Sequence, residues 1–379
     1  MAASTDQAER LNDDVVAEIL LRLPPAAVLR SGAVCRAWRR ITASPAFLAA
    51  HARRRPLELI IKGPGCALST IPLATLGDDV DTMRRRRRLR LRWCGPGGGG
   101  YLGGLLGAYD GLLLFERDSG CDHLVCNPVT RQWALLPRTP SLWIRVCGLY
   151  VHAPSAEHRL LYLQNDDGNV PGGTWTATHR VLSLGGAAVA RRIGPPAAAI
   201  EIYSQMPGAY LSHRGNLHWV RHPWVVDTDK ILAFDPVAET FRLIPRPPTR
   251  DQEREWVSLV KAHGSLAVTA ILHGSMDLWV LEDYDSDDSS SWTHRLRVDL
   301  PSPLESAKRA VSVDVLGQNV ILLENEHHVV ALYSLTEKKV LKQVELGRDI
   351  ENYTTRSTSF LFRDSLERHA FFDLQGTTS

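Results

Sequence analysis

Apolar residues in the first fifty positions recur at helical spacing and are broken by prolines and glycine. Asn12, Asp13 and Asp14 carry side-chain oxygens able to accept the N–H groups that a first helical turn leaves unpaired, and Val15, Ile19 and Leu23 follow at intervals of four. Pro24 and Pro25 end that helix, because neither offers the donor a helix interior needs. Ala26–Leu29 begins a second short helix that breaks at Ser31 or Gly32. Val34, Trp38 and Ile41 then share one face, Arg36, Arg39 and Arg40 the other, and Pro45 opens a fourth piece carrying Phe47 and Leu48. Three or four helices in about 45 residues bury only a modest share of their surface, so a domain of this size is marginal alone. Leu20, Leu21, Val28 and Leu29 read as surplus to so small a core, to be covered by the rest of the chain or by another protein.

Beyond Pro56 the period changes. Short apolar runs alternate with Gly, Pro, Asp and Asn clusters, the signature of many short strands. The segments LVCNPVTRQWALLP (124–137) and ILAFDPVAETFRLIP (231–245) superpose without a gap at a shift of 108 positions, aligning Asn127-Pro128 with Asp235-Pro236 and Trp133 with Phe241. Each reads as a strand, a turn set by Asn/Asp-Pro, and a second strand bearing a large aromatic residue. A glycine-led strand precedes each, YDGLLLF at 109–115 and HRGNLHWV at 213–220, and weaker units lie at 158–194, 263–300 and 316–346. Gly215, Gly264 and Gly317 fall 49 and 53 residues apart. A strand-rich repeat near 50 residues is the period of a Kelch-like β-propeller blade. With residues 56–80 and 356–374 joined in a closing blade, the expectation is five to seven blades, about six; a β-sandwich with coincidental repeats is the alternative. The predicted fold is mostly β with a small N-terminal α domain, residues 8–52 helical and 56–379 propeller-like.

Composition adds limits. Of 379 residues 44% are apolar and 23% charged, as in soluble globular proteins, and the net charge of +2 creates no global field favouring nucleic acid or an anionic membrane. The polar start and the lack of an 18-residue uncharged apolar run predict neither a secretory signal nor a membrane span, hence a cytoplasmic or nuclear protein. Cysteines at 35, 66, 94, 121, 126 and 147 form no CxxC pair and are read as reduced thiols; Cys121 and Cys126 lack two further ligands for zinc.

Several strings invite a chemical reading. GGGYLG at 98–103 has dinucleotide-loop spacing, with Asp118 twenty residues past Gly98, but no amphipathic helix follows to cradle a phosphate, so it reads as a loop and no cofactor is expected. RRRRRLRLR at 84–92 reads as a solvated loop between blades facing the acidic DDVD or EDYDSDD stretches, with nuclear import or nucleic-acid binding as the rival. His327-His328 reads as an exposed turn, and no HExxH, GxSxG or paired-cysteine string marks a catalytic or metal centre. Trp143, Trp175, Trp219, Trp224 and Trp256 fall in or near predicted loops, as packing residues or a recognition surface.

The helical segment resembles the F-box. Leu11, Glu18-Ile19-Leu20, Arg22-Leu23-Pro24, Val28-Leu29-Arg30, Val34-Cys35-Arg36-Ala37-Trp38-Arg39 and Pro45-Ala46-Phe47 match its pattern in order over residues 10–51, with Asn12 where the family has proline. The Asn-Pro-x-Thr-Arg-x-Trp-x-x-Leu-Pro string at 127–137 similarly resembles the F-box-associated domains of plants. The resemblance implies a non-catalytic substrate receptor of a Skp–cullin–F-box ubiquitin ligase. The helices would dock on the Skp-type adaptor, and through it on cullin, while the propeller binds an unknown protein target. It assigns adaptor contact to Leu11, Ile19, Leu20, Leu23, Pro24 and Leu29, with Val34, Cys35 and Trp38 shared between internal packing and the partner. A propeller enzyme or carbohydrate-binding module with an accessory helical segment is the competing expectation.

Overall fold

The computed structural model describes residues 12–63, 67–77, 86–89, 91, 102–117, 122–137, 144–165, 177–185, 190–197, 210–220, 230–248, 256–286, 288, 291–315, 318–346 and 356–373. Helix α1 spans Asp13–Arg22, α2 Pro25–Ser31, α3 Arg36–Ala43 and α4 Pro45–Arg54. Each boundary has a local cause. Asn12 Oδ1 accepts the Asp14 N–H at 3.2 Å, and Asp13, Asp14 and Arg22 sit at the ends of α1 that favour their charges. Prolines open α2 and α4, where no N–H is needed, and Ser44 Oγ accepts the Phe47 N–H at 3.3 Å. Cys35 opens α3, its Sγ accepting the Trp38 N–H at 3.5 Å.

The remainder is a six-bladed propeller, each blade a four-stranded antiparallel sheet. Blade 1 holds β1 (Glu58–Lys62), β2 (Leu68–Pro72) and β3 (Arg87–Arg88). Blade 2 holds β4–β7 (Leu102–Tyr109, Leu112–Arg117, Asp122–Asn127, Gln132–Leu135). Blade 3 holds β8–β11 (Ile144–His152, Glu157–Asn165, Ala177–Ser183, Arg191–Ala197). Blade 4 holds β12–β15 (Leu211–His213, Asn216–Val220, Lys230–Asp235, Thr240–Pro245). Blade 5 holds β16–β19 (Trp256–Ala262, Ser265–Leu272, Ser275–Leu281, Trp292–Asp299). Blade 6 holds β20–β23 (Ala307–Val315, Gln318–Asn325, Val329–Ser334, Lys339–Glu345). The ring is closed by β24 (Arg356–Phe362), which pairs antiparallel with β1 and so completes blade 1 from the far end of the chain. The first strand of each blade faces its neighbours around the centre: β4 lies against β24 and β8, and β16 against β20.

Strand residues alternate between the two blades they touch, because successive side chains point to opposite faces. In blade 2, Leu112 and Leu114 pack against blade 3, whereas Leu113 and Phe115 pack against blade 1. In blade 1, Leu59 and Ile61 meet blade 6 and Ile60 meets blade 2. Six clusters arise in this way, one at each blade boundary. A strand buried on both faces reads as a continuous apolar run, which is why LLLF and LIIK show no polar alternation.

The 108-residue shift is two blades. Asn127 Oδ1 accepts the N–H groups of Val129 and Thr130 at 2.9 and 3.2 Å, and Asp235 Oδ1 does the same for Val237 and Ala238 at 2.7 and 3.1 Å. Trp133 faces Cys126 and Phe241 faces Phe234 at matching register. Gly215 and Gly264 follow Arg214 and His263 in tight hairpins, both residues of each pair holding a positive φ as a two-residue turn of this hand requires; Gly317 lies outside the described residues.

One expectation is corrected. Within the arginine run, Arg87 and Arg88 are exposed as expected but form the outer strand of blade 1 rather than a loop, and Leu89 is buried. Arg87 bonds Glu58 at 2.6 Å and Asp364 at 2.9 Å, neither of them in the acidic stretches expected. Burial opposes its charge, but Asp364 and Glu58 more than offset that and raise its pKa. Arg84, Arg85, Arg90 and Arg92 lie outside the described residues. Of GGGYLG only Leu102 and Gly103 are described, and they begin β4.

Burial holds His123, His158, His218 and His369 at about 4, below the usual 6.5. As pH falls from about 6.5 toward 4, the unfolded chain takes up protons that the folded chain refuses, so stability is lost across that window and is fully present above it. A buried group such as His218 contributes a slope of up to about 1.4 kcal/mol per pH unit. The melting temperature is expected to fall steadily from pH 6.5 to 4, and His218→Gln to flatten that fall; an unchanged slope would refute the assignment.

Candidate functional site

The helical unit presents two apolar faces. Val16, Leu20 and Leu21 of α1 turn inward and meet Val28, Phe47 and Leu366, with Leu23, Trp38, Ile41 and Leu48 half-buried around them. Val15 and Ile19, one turn apart, point outward and are each 46% exposed. With Asp14, Glu18 and Arg22 they line a shallow depression along α1. Leu29 on α2 is 39% exposed, and Val34, in the turn before α3, is 66% exposed.

The residues assigned by sequence therefore divide. Ile19, Pro24, Leu29, Val34 and Cys35 are exposed. Leu23 and Trp38 are half-buried, packed on the internal cluster with part of their surface free. Leu20 has no exposed surface, which corrects its reading as an adaptor contact; of the two covers expected for a residue surplus to so small a core, it has the one supplied by the rest of the chain. Leu21 and Val28 are likewise buried. The reason is that the propeller supplies the missing cover, through Leu366 and the half-buried Val129. Leu11 lies outside the described residues. Val15 was not among the assigned contacts, although its spacing of four from Ile19 places it on the same face.

Polar contacts hold this face in shape. Buried His51 stacks on Phe47 with ring centroids 5.9 Å apart, and its Nε2 donates to the Leu23 carbonyl at 3.1 Å, fixing the chain where Pro24 turns it. Burial pushes the His51 pKa down, favouring the neutral ring. Arg55 donates to the Leu21 carbonyl at 3.2 Å. At the surface, Arg54 takes both carboxylate oxygens of Glu18 at 3.1 and 3.2 Å, and Arg40 pairs with Asp13. The Arg54 bonds hold the Glu18 carboxyl below its ordinary range. The depression beside Ile19 thus combines the apolar Val15 and Ile19 with a charged rim in which Arg54 ties Glu18.

The helices sit against the β6–β7 turn, so the β5–β6 and β9–β10 ends of the blades lie on the other side of the disc. At that other side Trp256 begins β16, partly exposed, with Lys308 Nζ 5.2 Å from its ring centroid and Lys308 bonded to Glu326 at 2.6 Å. Trp219 is a packing residue: its Nε1 donates to the Cys147 carbonyl at 3.1 Å. Trp143, Trp175 and Trp224 lie outside the described residues. His327 is exposed in the β21–β22 turn. Cys35, Cys126 and Cys147 are free thiols, and burial drives the Cys147 pKa up to about 11. Among the described residues no group of three or more His, Cys, Asp or Glu is placed to hold a metal, and no helix is long and apolar enough to cross a membrane.

Comparison with known proteins matches the same two parts. Residues 9–49 match the F-box domain, and residues 104–373 match the F-box associated beta propeller domain. An F-box/kelch-repeat protein of Arabidopsis thaliana is 24% identical, covering 95% of this chain and 86% of the relative. Two F-box proteins of Arabidopsis thaliana are 23% and 22% identical, covering 93% and 86% of this chain and 90% and 85% of those relatives. With the propeller match spanning well over half of its length, the chain belongs to the F-box proteins that carry an F-box associated beta propeller domain.

Proposed function

We propose that this protein is a non-catalytic substrate receptor of a Skp–cullin–F-box ubiquitin ligase. The observation that carries the proposal is the outward face of α1. Val15 and Ile19 remain nearly half exposed although the inward face of the same helix is fully packed. Such an unpartnered stripe, in a domain matching the F-box, is suited to a Skp-type adaptor that lays its own apolar helices against it. Ile19, Leu23, Pro24, Leu29, Val34, Cys35 and Trp38 are the proposed contacts, with Val15 added to them; Leu20 serves from beneath as support. The propeller captures the target protein on the side away from the helices, and tethering raises the effective concentration of target lysines near a charged conjugating enzyme. No bond is made or broken by the receptor itself.

Co-expression with a Skp-type adaptor is expected to give a one-to-one complex. Ile19→Ala is expected to cost about 1 kcal/mol of adaptor affinity, roughly fivefold in Kd by titration calorimetry, without changing the melting temperature. No complex with the wild-type chain would end the proposal.

A further inference from the structure

The four helices are not sealed by their own residues. Leu366, on the segment that follows β24, is buried among Val16, Leu20, Leu21, Val28 and Phe47, and Val129 of the β6–β7 turn packs beside it. Fully buried Asn127 fixes both: Oδ1 takes the Val129 and Thr130 N–H groups at 2.9 and 3.2 Å. Its Nδ2 donates to the carbonyls of Ser365 and Glu367 at 3.1 and 3.3 Å, one on each side of Leu366. Asp364 bonds Arg87 at 2.9 Å, and Phe371 and Phe372 enter the cluster between blades 2 and 3, so the segment is fastened at both ends.

We propose that this strap, residues 363–373, is a working part of the adaptor-docking unit, and that Leu366 and Asn127 are positioning residues for adaptor binding. The proposal rests on the receptor reading above. Both residues act from the inward side of α1, holding the outward Val15 and Ile19 in one arrangement without touching the partner. Loosening the inward face lowers the fraction of chains whose docking helix is ordered, and the apparent Kd rises as the inverse of that fraction. The order of the chain adds a consequence. The helices are made first, but the side chain that completes their core follows the strand that closes the ring, so docking competence is coupled to a closed propeller.

The test is the kinetics of full-length Leu366→Ser on an immobilised Skp-type adaptor. Affinity is expected to fall about tenfold or more, carried by slower association with dissociation unchanged, as a smaller competent fraction requires. Leu366→Met is expected to restore it. Unchanged affinity, or a loss carried by faster dissociation, would overturn the proposal. If Leu366→Ser does not fold, Asn127→Ala is read in the same way. Failure of the wild-type chain to bind removes the receptor reading instead. The strap is then judged by amide exchange of α1 and α4 in the same variant: faster exchange there, with propeller strands unchanged, supports it, and wild-type protection overturns it.

Discussion

A chain ended after residue 355 is expected to lose its cooperative melting transition, not to melt as a slightly weaker propeller. The deletion removes β24, the strand that pairs with β1 and closes the ring. Phe360 and Phe362 leave the cluster between blades 1 and 2, and Phe371 and Phe372 leave the one between blades 2 and 3. Truncating one buried phenylalanine costs about 3–5 kcal/mol, so four together match or exceed the roughly 5–15 kcal/mol that holds a folded domain. The register of β1 makes matters worse. Leu59 and Lys62 lose their partners Leu361 and Arg356, and an unpaired strand edge of apolar residues is a template for aggregation. Inside the ring, Arg309 and Glu324 lose Ser359, whose Oγ accepts from Arg309 at 2.6 Å and donates to Glu324 at 2.5 Å. Burial already raises the Glu324 pKa, so an emptied site there is costly. Circular dichroism through a thermal ramp reads the result, and a single transition within a few degrees of the full chain would contradict ring closure by β24.

The propeller was legible because its interaction partners are close in sequence and repeat. Asn127 and Asp235 each organise a turn with their own side chain and the next three residues, so a 108-residue shift exposes the pattern without knowledge of any long-range contact. The closing blade was legible only through bookkeeping of leftover strands at the two ends. Arg87 was illegible for the opposite reason: a run of arginines describes a solvated surface, while its partners Glu58 and Asp364 stand 29 and 277 positions away. The helical unit fell between these cases. Periodicity identified an apolar helix but not which of its two apolar faces meets the rest of the chain, because Val16, Leu20 and Leu21 differ from Val15 and Ile19 only by rotation about the axis. The deciding residue, Leu366, lies in a segment whose local sequence carries no sign of the helices it covers.

That difference of rotation sets up the second large effect. Ile19 and Leu20 are adjacent and similar in size, yet aspartate at the two positions is expected to fail by different routes. Asp at 19 sits near Glu18 and Asp14 on an exposed face, stays hydrated, and leaves α1 folded. It places a charge where an apolar partner must desolvate it, so adaptor binding is expected to disappear while the melting curve is unchanged. Asp at 20 replaces a side chain with no exposed surface, packed among the apolar side chains of Val16, Phe47 and Leu366. An uncompensated buried carboxylate costs several kcal/mol, more than a unit of this size can hold in reserve. Helices α1 and α4 are then expected to exchange their amides at nearly unfolded rates, and adaptor binding to vanish although residue 20 touches no partner. The propeller, whose six clusters do not include Leu20, keeps its transition. Exchange mass spectrometry separates the two variants: equal protection of α1 in both would mean that the inward and outward faces of this helix do not play the separate parts assigned to them.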